Sequence, residues 1–123
     1  MLCVLTMTNW NEETMTQHID NLFDTWKDYY NDITRHKCNI KITKIIIDDI
    51  KAEIKICDED QKDYLTERQQ GLENRVVRDN ALLSKVSMEY KLWFRKLDPT
   101  DLKIVVAKAN EFNKLNNLYP SLN

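Results

Sequence analysis

The stretch LENRVVRDNALLSKVSMEYKLWFRKL, residues 72–97, contains neither glycine nor proline and carries apolar residues on two flanks of a helix. At the helical turn of 100° per residue, Leu72, Val76, Leu83, Val86, Tyr90, Trp93 and Leu97 fall on one side. Val77, Ala81, Met88 and Leu92 fall roughly opposite. Full burial of an aliphatic or aromatic side chain gains roughly 1.5–3 kcal/mol, so seven on one stripe are enough to make this helix the spine of a fold. The second stripe leaves two readings. Either the helix is gripped from both sides at the centre of a bundle, or it has a core face and a partner face.

Working outward, Leu97-Asp98-Pro99-Thr100-Asp101 predicts a sharp boundary. Asp98 suits the N-cap, Pro99 the first helical position and Asp101 the third, where a carboxylate faces the positive helix start. The helix that follows places Leu102, Val105, Val106, Ala109 and Phe112 on its inner face, and residues 116–123 read as a polar tail. On the other side, Gly71 suits a helix C-terminal cap. Before it, residues 41–69 read as another helix, fraying near Cys57-Asp58-Glu59-Asp60. Its apolar repeat is Ile46, Ile50, Ile54 and Cys57. Residues 40–47 also fit a strand, because Ile40 and Ile42 alternate with polar neighbours and Ile45-Ile46-Ile47 is β-branched. The length of the run favours the helix. A first helix opens at Asn9-Trp10-Asn11-Glu12, which has the form of a capping box. Met15, Ile19, Leu22, Trp26, Tyr29 and Ile33 then form one stripe, and the helix is expected to end near Arg35. Residues 1–8 read as an apolar N-terminal extension, either a strap on the core or an upstream addition with the start at Met7. The expected fold is therefore all-α: a single domain over residues 1–123, an irregular bundle of about four helices around the long Leu72–Leu97 helix.

Composition excludes several function classes. The chain has 123 residues, 42% hydrophobic and 31% charged, with one glycine and two prolines. An all-β sandwich and a glycine-rich phosphate loop both need more turn residues than that. The net charge of −2 gives no general attraction to nucleic acid or anionic lipid, although residues 1–60 carry −5 and residues 61–123 carry +3. No segment approaches the roughly 18 apolar residues of a membrane span. Cys3, Cys38 and Cys57 cannot all pair within the chain and form no C-x-x-C, so they read as reduced thiols in a cytoplasmic setting.

Chemistry has little to stand on. His18 and His36 lie eighteen helical residues, or about 27 Å, apart and cannot share a metal without a chain reversal. His36 and Cys38 are close but lack the further ligands that zinc requires. The adjacent pairs Glu12-Glu13 and Asp48-Asp49 point about 100° apart on a helix, so neither is an acid–base dyad. The expectation is a protein without enzymatic activity, cofactor, metal or small-molecule substrate. For nucleic acid the candidate phosphate contacts are Lys91, Arg95 and Lys96, against the plainer reading of a solvated helix face. Tyr90, Trp93 and Phe94 suit an interface anchor, but core packing is the better reading for Tyr90 and Trp93.

Leu72-Glu73-Asn74-Arg75-Val76-Val77-Arg78 resembles the V-E-N-x-V-I-R stretch of the ArpU/RinA-like late transcription regulators of bacteriophages. The order of elements over residues 42–110 is similar as well. The resemblance implies a phage or prophage setting and a helical protein that works by binding. Those regulators continue into a helix-turn-helix. The thirteen residues after Asn110 leave no room for one, so no DNA-contacting residue carries over.

These readings converge on a protein-interaction module in transcription regulation. Its contact face would be Val77, Ala81, Met88 and Leu92, with a protein partner or a second copy of the chain. The alternative is a stoichiometric inhibitor of a host enzyme, an anti-CRISPR-like anti-defence protein that blocks a nuclease. It would use the acidic face of Glu12, Glu13, Asp20, Asp24 and Asp28, whose plainer reading is a solvated helix surface.

Overall fold

The computed structural model describes residues 12–118. The apolar stretch at residues 1–8, Cys3, the Asn9 cap and the end of the polar tail at Pro120 lie outside them. The described residues form three helices and no strand: α1 Glu12–Ile56, α2 Glu59–Lys96 and α3 Pro99–Leu118. They group into two compact units. One holds residues 12–30 and 90–118, the other residues 31–89.

The all-α expectation holds, and residues 40–47 are helical. The count of four helices does not hold among the described residues: the boundary at Asp98-Pro99 is where it was expected, but those near Arg35 and at Gly71 are absent and one at Cys57-Asp58 takes their place. No break separates Arg35 from Lys41; α1 runs through both. Nothing in that stretch obliges a helix to stop, since it lacks glycine and proline. Ile40, Thr43, Ile47 and Ile50, at spacings of 3, 4 and 3, are all buried along one seam. The Thr43 hydroxyl meets its burial by donating to the Asn39 carbonyl at 2.7 Å. Gly71 caps nothing; α2 passes through it without a positive φ. The true break is at Cys57-Asp58, where fraying was expected. There the Cys57 N–H donates to the Glu53 carbonyl at 2.9 Å and the Gln61 N–H to the Asp58 carbonyl at 3.0 Å.

Within the unit of residues 31–89, this two-residue connection makes α1 and α2 an αα-hairpin. Leu65 of α2 joins the buried isoleucines of α1 in its core. The stripe Leu72, Val76, Leu83 and Val86 is half-buried, so each residue gains less than full burial would give. The opposite flank of α2 is not gripped by anything in the described residues. The centre-of-bundle reading of this helix therefore gives way to a core face and an open face.

The unit of residues 12–30 and 90–118 is built on aromatic rings. Trp26, 6% exposed, stacks on Tyr30 at 5.1 Å and on Phe23 at 6.0 Å between centroids. Phe112 of α3 meets Trp26 and Tyr30 edge-on at 5.5 and 5.3 Å. Tyr29 packs against Tyr90 at 5.7 Å and Trp93 at 5.6 Å. Such pairs contribute about 0.5–1.5 kcal/mol each beyond their buried area. The α3 seam is Leu102, Val105, Ala109 and Phe112, with Val105 1% exposed. Val106 was expected on this face, but it sits a 100° step off the seam and is 42% exposed.

Candidate functional site

The open flank of α2 carries the candidate contact residues. Val77 is 69% exposed, Met88 58% and Leu92 48%; Ala81 is exposed too. Val77, Ala81 and Met88 belong to the unit of residues 31–89, and Leu92 to the other. Their exposure follows from the pattern of the helix. In the unit of residues 31–89, Leu72, Val76, Leu83 and Val86 turn inward on the other side, and among the described residues of that unit α2 has one helix, α1, to pack against.

The candidate phosphate contacts Lys91, Arg95 and Lys96 are exposed on the last turns of α2, and none is in an ion pair among the described residues. Glu12, Glu13, Asp20, Asp24 and Asp28 are exposed along α1 and form no ion pair among the described residues. Tyr90, Trp93 and Phe94 are half-buried within the aromatic cluster.

The polar side chains do not converge. His18 Nε2 donates to Asp101 Oδ1 at 2.9 Å, which ties α1 to the first turn of α3. His36 Nδ1 is buried and lacks a hydrogen-bond partner. The Cys57 Sγ donates to the Ile54 carbonyl at 3.5 Å. Among the described residues no group of three or more His, Cys, Asp or Glu side chains is placed to hold a metal ion. No described helix is long and apolar enough to cross a membrane.

Two features escaped the sequence reading. One is a second exposed apolar flank on α1, with Ile42 47%, Ile45 53% and Ile56 86% exposed. Its signal was the 3 and 11 residue spacing, which keeps these isoleucines on one face away from the buried seam. The other is a concavity on α2 lined by Arg68, Gly71, Leu72, Asn74, Arg75 and Arg78. Its signal was residue type: three of the chain's five arginines fall within residues 68–78.

No protein-family model matches the chain, and neither a curated protein nor a solved structure matches it.

Proposed function

We propose that this chain is a non-enzymatic, phage-type protein-interaction module that acts in the regulation of transcription. It docks the open flank of α2 against a protein partner, with a second copy of the chain as the first candidate. The observation that carries this reading is the contrast across α2. Within the unit of residues 31–89, Leu72, Val76, Leu83 and Val86 turn inward, while Val77 is 69% and Met88 58% exposed and Ala81 is exposed between them; Leu92, in the other unit, is 48% exposed. Scattered single apolar residues on a surface need no explanation, but a row along one flank points to an interaction surface. The phage and transcription setting rests on the likeness of Leu72–Arg78 to the late regulators.

The test is Leu92→Glu. Sizing at low and high concentration, with capture of partners from host lysate, should show association in the parent and none in the variant. The helical circular-dichroism signal should be unchanged. A variant that loses its helicity would make the flank part of the core and end the proposal.

The second reading, inhibition of a host nuclease, draws support from the exposed carboxylates Glu12, Glu13, Asp20, Asp24 and Asp28, none of them in an ion pair among the described residues. A nuclease captured from the lysate through this face, and released by neutralising Asp20 and Asp24, would favour it over the first.

A further inference from the structure

Gly71 occupies a costly place. In a helix interior glycine is worse than alanine, and it is normally kept there when a neighbour needs the space. No neighbour does: a side-chain carbon built at Gly71 would meet nothing within 4 Å, and its φ is not positive. The space above it is instead walled by Arg68, Arg75 and Arg78. All three are exposed, and none is in an ion pair or hydrogen bond among the described residues. The one acid on α2 between them, Glu73, accepts instead from Gln69 at 3.1 Å. Arg75 and Arg78 also line the adjoining concavity, where Asp79 lies without pairing to either.

Residue type narrows the ligand. The chain uses lysine far more often than arginine, yet this wall is all arginine. A guanidinium fork binds planar or tetrahedral oxyanions with two bonds at once, whereas an ammonium acts as a point charge. From Arg68 to Arg78 the helix rises about 15 Å, which is too far for one small anion to reach all three and suits several anionic groups in a row. A protein interface would need an apolar anchor at its centre. The only apolar side chain in this lining, Leu72, is half-buried. These features favour a repeating phosphate chain over an acidic protein surface.

We propose that Arg68, Arg75 and Arg78, over the open backbone of Gly71, bind the sugar–phosphate backbone of a nucleic acid. This site is distinct from Lys91, Arg95 and Lys96 and from the apolar flank of α2. With no base-reading element in the groove, binding is independent of sequence and dependent on salt. Three phosphate contacts predict a loss of roughly 20- to 40-fold in affinity between ~50 and ~200 mM salt.

The test is fluorescence anisotropy of the full chain with a labelled mixed-sequence oligonucleotide, single-stranded and duplex. Arg75→Gln with Arg78→Gln should weaken binding at least about tenfold and flatten the salt slope by about two, with helicity retained. Gly71→Leu, which fills the floor without changing a charge, should weaken it as well. Lys91→Gln with Arg95→Gln and Lys96→Gln should leave it intact. The proposal is overturned by any of four results. The parent fails to bind at low salt; the arginine pair or Gly71→Leu has no effect; poly-glutamate binds as tightly as the oligonucleotide; or pyrophosphate binds saturably while the oligonucleotide does not. The last result would assign the same arginines to a small phosphate compound.

Discussion

Asp98 Oδ1 accepts the Asp101 N–H at 2.8 Å, and this bond satisfies one of the three donors that the start of α3 leaves open, Pro99 having none. Removing it should cost about 1 kcal/mol. Asp98→Ala is therefore expected to lower the urea midpoint, while Asp98→Ser, which keeps an acceptor at the cap, should recover most of the loss. His36 presents the opposite case. Its Nδ1 is buried with no partner, and an unmet polar group of this kind costs about 1–3 kcal/mol. His36→Leu removes the polar atom, keeps apolar volume and improves helix propensity. It should raise stability by about 1 kcal/mol in the same urea titration; a drop of that size would mean the nitrogen has a water partner in solution. Trp26 is the largest of the buried core side chains. Truncating it to alanine strips the stack with Phe23 and Tyr30 and the edge contact with Phe112. A loss of about 3–5 kcal/mol is expected.

At the scale of elements, the boundaries show where sequence reading succeeds. Asp98-Pro99 was legible because the signal is local: a cap followed by a residue that cannot continue a helix upstream. Continuity across Arg35–Lys41 was not legible, because whether a helix stops there depends on whether Ile40 and Thr43 find cover, and that cover comes from α2, some thirty residues away. The break at Cys57-Asp58 has a local mark of its own. Asp58-Glu59-Asp60-Gln61 has the cap and third-position spacing of a capping box, followed by two acids in the first turn of α2. Gly71 was the strongest apparent punctuation, yet glycine only permits a break. With an unstrained φ and open space around it, Gly71→Ala should stabilise the chain by about 1 kcal/mol. Thermal unfolding checks this, and destabilisation would show that the backbone at Gly71 has left helical geometry.

For the whole molecule, the question is which exposed apolar flank meets a partner. The α2 flank was legible because its angular pattern differs from the inward stripe on the same helix. The α1 flank was not, because Ile42 and Ile45 read equally well as strand or core, and isoleucine is taken as buried unless a structure shows otherwise. The arginine groove was not legible because it needs the lining of one concavity, which residue spacing alone does not supply. The two apolar flanks differ in what surrounds them. Ile45 lies beside Lys41, Lys44, Asp48 and Asp49 on α1, so a partner there would have to desolvate charges of both signs. Met88 has Ser84, Lys85, Lys91 and Leu92 three or four residues away on α2, so the charges beside it are of one sign and an acidic rim on a partner can pair them. Association is therefore expected to follow α2. Met88→Glu should abolish it in sedimentation velocity, and Ile45→Glu should leave it intact. Both residues are exposed in the single chain, at 58% and 53%, so each substitution should change unfolding free energy by no more than about 0.5 kcal/mol. The reverse pattern, association lost in Ile45→Glu and kept in Met88→Glu, would move the docking surface to α1.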